Sequence, residues 1–414
     1  MPDNAEPLPA IAGLHGSNPV IDWLWREGWE VGSLPDLAQR FGRALNRAGI
    51  PVCRLRLTLR TLHPQLAGLS HTWSRETDEV EEFWPPLTVM QEDLFLKSPY
   101  ALLFQGAGAI RRRLDLPDAE MDFPILEDLK LQGATDYVAL PLTFSDGRIS
   151  AATFATDRPG GFITGELEQL YEMLPALSRL MEMHALRRTA RILLDTYLGR
   201  HTGERVLRGL VHRGDGEDIH AVIWFSDLRA STRLADTLPR PEFLRLLNSY
   251  FDCMAGAVLQ HEGEVLKFIG DAVLAIFPIG ALNELPNLCP AGAARAALAA
   301  ARDARRRMAA LNADRAAAGE APLGYGIGLH VGDVTYGNVG APARLDFTVI
   351  GPACNEASRL ESMCKVLERP IIISAELARL VDEDLRSLGV HALRGVREPH
   401  ELFTLPDPPT ASAT

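Results

Sequence analysis

The sequence predicts a mixed α/β (α+β) protein of two modules, the second built on a ferredoxin-like βαββαβ core. Three observations point there. Segments with apolar residues every three or four positions alternate along the chain with short segments in which apolar and polar residues strictly alternate. In the second half these segments follow the order strand, helix, hairpin, long helix, strand. The 414 residues, 47% hydrophobic and 23% charged, have ordinary globular composition and suffice for two or three separate cores.

In the first half, Ser33 is placed to cap a helix with Pro35 in its first turn, and Leu37, Phe41 and Leu45 recur along one face. Leu55, Leu57 and Leu59 alternate with Arg54, Arg56 and Thr58, which predicts a strand. After a Trp- and Pro-bearing stretch (73–86) and further helix, residues 137–144 and 149–156 flank a Ser145-Asp146-Gly147 turn and predict a hairpin. This layout suits a sensory module better than a catalytic one. Thr164 then reads as the cap of a helix on which Leu167, Leu170, Leu174, Leu177 and Met181 form a seam, bent slightly at Pro175. Two partners fit the seam: the module's own sheet, or a second copy of the helix in a parallel dimer that continues through Leu193 and Leu194.

The second half starts with a buried strand at 221–226, which leads to a helix at 241–260. A hairpin follows, 264–269 and 272–277, turning at Gly270-Asp271. A long Ala- and Arg-rich helix spans 290–317. Strands are predicted at 325–330, 334–339 and 347–350, a helix at 352–367, a strand at 370–374, and closing strands near 390–394 and 401–405. The expected division is 1–163, a connecting segment 164–218, a second module 219–407 and a Pro-rich tail 408–414.

A net charge of −12 argues against a nucleic-acid groove or an anionic membrane surface as partner. The two short basic runs, Arg111-Arg112-Arg113 and Arg305-Arg306-Arg307, read as solvated helix faces. Five scattered cysteines without a CxxC pair suit reduced thiols, so a cytoplasmic location is expected. Residues 1–13 lack a basic n-region, and the alanine-rich stretch 291–310 is broken by Arg295, Arg302 and Arg305. Neither a signal peptide nor a membrane span is expected.

The chemistry concentrates on Asp227, in Phe225-Ser-Asp-Leu-Arg-Ala-Ser-Thr232, and Asp271, in Lys267-Phe-Ile-Gly-Asp271. Asp227 follows a strand and precedes small and hydroxyl residues, which fits either a helix cap or a metal and phosphate site. Asp271 fits a tight turn equally well. Should the hairpin lie beside the strand ending at Ser226, the two carboxylates meet, and a divalent cation pair would relieve their repulsion. Asn355 and Arg359 stand four apart on one helical face, as a surface pair or as groups for a nucleotide. Lys267 and Thr348, taken singly, read as a solvated lysine and a strand former.

Together these segments resemble the class III nucleotidyl cyclases, and within them the soluble bacterial adenylate cyclases. Four ordered stretches carry the resemblance: 222–232, 263–277, 326–340 and 346–361. It implies that Asp227 and Asp271, with the Leu228 carbonyl, hold two Mg²⁺ or Mn²⁺ ions. Lys267 and Thr348 would read the purine, Asn355 would orient the ribose, and Arg359 would stabilise the transition state at the α-phosphate. The implied activity is conversion of ATP to 3′,5′-cyclic AMP in a head-to-tail homodimer, each site taking its metals from one chain and its purine reader, Asn and Arg from the other. Guanylate cyclase and a non-catalytic nucleotide-binding module are the alternatives. Two departures stand out: Ala230 where glycine is frequent, expected to be sterically mild, and Asp333 where some relatives place an arginine. Triphosphate charge would then fall to the metals and to Arg394 or Arg397. Residues 137–183, with Asp157-Arg-Pro-Gly-Gly-Phe162, loosely resemble the C-terminal part of GAF domains, which implies a regulatory first module with an unidentified small-molecule ligand.

Overall fold

The computed structural model describes residues 18–60, 66–280, 288–394 and 399–407. The chain divides into two compact units, Met1–Ile192 and Leu193–Thr414. Helices and sheets are present in both, as the predicted class requires.

The first unit runs α1 (Pro19–Arg26), α2 (Leu34–Arg47), β1 (Arg54–Leu59), β2 (Leu69–Ser74), β3 (Val80–Phe83), α3 (Asp93–Leu96), α4 (Pro99–Phe104), β4 (Ile110–Arg113), α5 (Pro124–Leu131), β5 (Asp136–Thr143), β6 (Ile149–Thr156) and α6 (Thr164–Glu172). It closes with α7 (Leu174–Leu198), which extends past the division between the units. The six strands form one antiparallel sheet in the order β3-β2-β1-β6-β5-β4. Ser33 caps α2 as expected, its hydroxyl accepting from the Asp36 N–H, and Leu37, Phe41 and Leu45 are fully buried with Leu55, Leu57 and Leu59 of β1. Leu170, Leu177 and Met181 join that same core, with Leu167 and Leu174 packed against it, so the seam serves its own sheet. Beyond Met181 the helix turns Leu186 and Leu193, seven residues apart, outward.

Several expectations need correction. Residues 73–86 contain β3 and the end of β2, where Trp73 is buried so tightly that a Cβ on Gly42 of α2 would lie 2.2 Å from its ring. Arg111-Arg112-Arg113 is not a helix face but the edge strand β4, each arginine paired with an acid: Asp136, Asp122 and Asp115. Ile163, not Thr164, caps α6; the Glu166 carboxylate accepts from the Ile163 N–H. Pro175 does more than bend the helix, for it lies in the first turn of α7 after a break at Met173.

The second unit runs α8 (Arg200–Leu207), β7 (Gly216–Leu228), α9 (Ser231–Thr237), α10 (Arg240–Gln260), β8 (Glu264–Ile269), β9 (Ala272–Ile279), α11 (Pro290–Ala317), β10 (Tyr325–Ala341), β11 (Arg344–Ile350), α12 (Pro352–Val366), β12 (Ile371–Ser374), α13 (Ala375–Ala378), β13 (Arg386–His391) and β14 (His400–Thr404). Strand order is β13-β14-β12-β10-β7-β9-β8, with β11 pairing β10. The stretch β10-β7-β9-β8 is the ferredoxin-like core and the remaining strands extend it. Val222 and Trp224 of β7 face α10 and α11, while Ala221 and Ile223 face α12, so the central strand is buried on both sides.

The two strands expected at 325–330 and 334–339 are one continuous strand, β10. Gly332 therefore marks no turn; it leaves room for α12, since a Cβ there would lie 2.8 Å from that of Ala353. The strand expected at 390–394 ends at His391, leaving Arg394 exposed beyond it, and Arg397 lies outside the described residues. Arg305-Arg306-Arg307 is on helix α11 as expected, but tied down: Arg306 and Arg307 pair with buried Asp303, and Arg305 donates to the Pro406 carbonyl. No helix among the described residues is long and apolar enough to cross a membrane.

Helix α12 lies close on β10 at Gly328, where an added Cβ would lie 2.2 Å from the Ala357 carbonyl oxygen. Gly328→Ala is expected to cost about 1–3 kcal/mol by overpacking, seen as a lower thermal midpoint; an unchanged midpoint would mean that α12 is not seated there.

Candidate active site

Strand register sets the acidic half of the site. Ser226 of β7 pairs with Val273 of β9, so Asp227, one residue on, comes beside the turn that holds Asp271. Gly270 supplies the positive φ of +64° that this turn requires. On its other side Asp227 pairs with Gly326 of β10, and Leu228, almost wholly buried, with Tyr325.

Burial is the largest cause of a raised Asp227 pKa, about 7; hydrogen bonding to Asp271 and the nearby charges of Asp271 and Glu361 add to it, and Arg229 opposes it. Asp271 Oδ2 is buried without a hydrogen-bond partner among the described residues. An orphaned carboxylate oxygen beside a second carboxylate is what a hard divalent cation would satisfy. No group of three or more Cys, His, Asp or Glu suited to a metal occurs among the described residues, so the pair would need a backbone carbonyl and ligand oxygens to complete coordination, as small hard cations at phosphate sites commonly do. The residues present fit such a cation.

The turn after Asp227 is strained. Ala230 has φ +58°, a left-handed conformation, immediately before α9. The departure from glycine is thus not sterically mild. A cleft of about 630 Å³ opens beside Asp227, bounded by residues 228–232 and by Lys365 and Arg369.

Sequence reasoning missed the tie that fixes this end of the sheet. Arg229 pairs with the Glu361 carboxylate at 2.8 Å and also donates to the Glu361 carbonyl at 2.9 Å. A side chain at Gly326 would collide with both, the added Cβ lying 2.3 Å from Arg229 Nη2 and 2.4 Å from Glu361 Oε1. Burial, the largest cause, raises the Glu361 pKa. Arginine against a half-buried turn also gave no local signal in the sequence.

The other predicted residues form a second cluster. Lys267, after a bulge in β8, donates to the carboxylate of Asp346 on β11. Thr348 lies two residues along that strand, hence on the same face, buried at 6% exposure with its hydroxyl unpartnered among the described residues. Lysine is therefore held, not merely solvated, and Asp346 is a further member that sequence reasoning did not select. β11 leads into α12, which lays Ala353 on Gly332 and Ala357 on Gly328. Asn355 and Arg359 fall on the helix face away from those contacts. Neither has a hydrogen bond or ion pair among the described residues.

The structure thus brings Asp227, Leu228 and Asp271 together, and Lys267 with Thr348. It does not bring Asn355 and Arg359 onto the carboxylates of the same chain, because they project from the far side of α12. Asp333 pairs with His220 at 2.7 Å, seven residues along the β7–β10 ladder from Asp227. That is on the order of 20 Å away.

Residues 217–405 match the family of the adenylate and guanylate cyclase catalytic domain. An uncharacterized protein of Mycobacterium tuberculosis is 33% identical over 250 residues, covering 59% of this chain and 42% of the relative. An uncharacterized protein of Mycobacterium bovis is 38% identical over 211 residues, covering 49% and 36%. The chain therefore spans less than half the length of these relatives. Among solved structures, the adenylyl cyclase CyaB from P. aeruginosa is 31% identical, with 47% of this chain and 97% of that one covered and a TM-score of 0.43. The guanylyl cyclase Cya2 is 27% identical, covering 45% and 92%, with a TM-score of 0.39.

Two outcomes follow from the acidic end. Asp227 ordinarily titrates near 3.8 and here near 7, so below neutrality it holds a proton that a cation must displace. Mn²⁺ affinity, measured by calorimetry, should rise as pH increases from about 6 to about 8 and binding should release protons; a pH-independent affinity would contradict the assignment. Ala230→Gly should relieve the left-handed strain and raise stability by about 1 kcal/mol, read from the unfolding midpoint; a lowered midpoint would contradict it.

Proposed function

We propose that this chain, whose residues 217–405 match the adenylate and guanylate cyclase catalytic domain, is a class III nucleotidyl cyclase, and within that class an adenylate cyclase that converts ATP to 3′,5′-cyclic AMP and pyrophosphate. The observation that carries the reading is the paired carboxylates of Asp227 and Asp271, one raised in pKa and the other left with an orphaned oxygen. Asp227 and Asp271, with the Leu228 carbonyl, would hold two Mg²⁺ or Mn²⁺ ions. When bound, such ions supply positive charge at the triphosphate and favour ionisation of the ribose 3′-hydroxyl.

Asn355 orients the ribose so that its 3′-oxygen lies in line with the α-phosphate. Arg359 places its donors on the oxygens that gain charge as pyrophosphate leaves. Lys267 and Thr348 meet the purine edge. An ammonium donor suits adenine N1, whereas guanine would call for an acceptor at that position. The unpartnered Thr348 hydroxyl supports a ligand there. Because Asn355 and Arg359 point away from the carboxylates of their own chain, a second copy in a head-to-tail homodimer would supply them, giving two equivalent sites. The adenylyl cyclase identity of one relative and the guanylyl cyclase identity of another leave the base choice to the residues themselves. We further assign residues 1–163 a GAF-like regulatory role, joined by 164–218 to the catalytic residues 219–407, in a cytoplasmic protein.

Incubation with ATP and GTP side by side in Mn²⁺ should yield cyclic AMP in clear excess. Predominant cyclic GMP would favour guanylate cyclase, and no product from either would favour a non-catalytic module. Asp227→Ala should lower kcat by about a hundredfold or more, and parental turnover would refute the metal assignment. A Lys267→Glu, Thr348→Cys double variant should move preference toward GTP; an unchanged ratio would remove both residues from purine recognition.

A further inference from the structure

A separate site lies in the first unit. Arg54, Arg56 and, just past the end of β1, Arg60 share the face opposite the core leucines Leu55, Leu57 and Leu59. They line a cavity of about 680 Å³ beneath α3 and α4, a volume suited to a drug-sized molecule. Every arginine of the edge strand β4 has an acidic partner. These three have none among the described residues. Instead, the Arg56 guanidinium carbon lies 5.6 Å from the ring centres of both Phe83 and Tyr100, and that of Arg60 lies 4.9 Å from Phe104.

Arg56 Nε is buried without a hydrogen-bond acceptor. Leaving a charged donor so costs far more than satisfying it. Burial also lowers the Arg54 pKa. The acids that line the cavity, Glu81, Glu82 and Asp128, are exposed and form no ion pair with these arginines. Large apolar side chains are uncovered in its wall as well, Phe83 at 51% and Leu94 at 67% exposure. Guanidinium forks stacked on aromatic rings are prearranged for a planar anion, and the surrounding Val89, Met90 and Phe95 for an apolar body.

We propose that this cavity binds a small organic anion in which a carboxylate or phosphate is attached to a flat apolar group. Arg56 and Arg60 meet the anionic end, while Phe83, Tyr100 and Phe104 enclose the rest. The assignment is independent of the cyclase site and stands whichever nucleotide that site uses.

The test is calorimetric titration of the full chain with 2-naphthoate, phenyl phosphate, neutral 2-naphthamide and inorganic phosphate. The naphthoate or the phenyl phosphate should bind, with the amide and inorganic phosphate at least about tenfold weaker. Arg56→Met should weaken binding of the anion by about tenfold, with Arg60→Gln as the second variant should the first not fold. Equal binding of the amide and the naphthoate, binding of inorganic phosphate alone, no binding of either aromatic anion, or folded variants that bind like the parent would each overturn the proposal. The comparison of naphthoate with naphthamide on the parent chain decides the matter even where neither variant folds.

Discussion

Two carboxylates brought into contact at the end of a central strand are the constraint on which the second unit turns. The Ser226–Val273 pairing leaves Asp227 no place but beside the Gly270-Asp271 turn. The cost of that proximity is visible in the raised Asp227 pKa. Such an arrangement weakens the metal-free protein as pH rises, because the folded state holds a proton that the unfolded state releases nearer pH 3.8. Its contribution is fully present below that value and is lost as pH rises through about 7. A cation that replaces the proton removes the repulsion, so the instability and the proposed chemistry have one origin.

Around this pair, glycine is used for proximity more than for flexibility. Gly326 makes space for the Arg229–Glu361 tie, while Gly328 and Gly332 let α12 lie directly on β10. Seating the helix through Ala353 and Ala357 fixes which face remains outward, and that face carries Asn355 and Arg359. A single chain thereby separates the acidic half of the site from its amide and guanidinium. On the proposed reading, a second subunit would supply the amide and guanidinium.

Much of this was legible in the sequence. Period-two and helical patterns located most core elements, and the motif residues Asp227 and Asp271 lie where their segments suggested. What escaped was set by tertiary neighbours. Asp346 meets Lys267 across 79 residues of sequence and Glu361 meets Arg229 across 132, so no local pattern announces either. Arg111-Arg112-Arg113 resembled a solvated helix because its partners Asp122 and Asp136 come from elsewhere. The break expected between 330 and 334 falls at Gly332, because glycine serves turns and close approach alike, and only the position of Ala353 distinguishes them. In the first unit, charged Glu81 and Glu82 beside Pro85 and Pro86 obscured β3, whose hydrogen bonds to β2 supply one wall of the arginine-lined cavity.

In the proposed dimer, the metals and the transition-state arginine come from different chains. Mixing two individually inactive variants, Asp227→Asn and Arg359→Ala, tests it most directly, because a mixed dimer would contain one site with both groups intact. After subunit exchange, cyclic AMP synthesis should recover to about a quarter of the parental rate, from half of the dimers carrying one good site of two. A mixture as inactive as its components, with subunit exchange verified, would contradict the shared site.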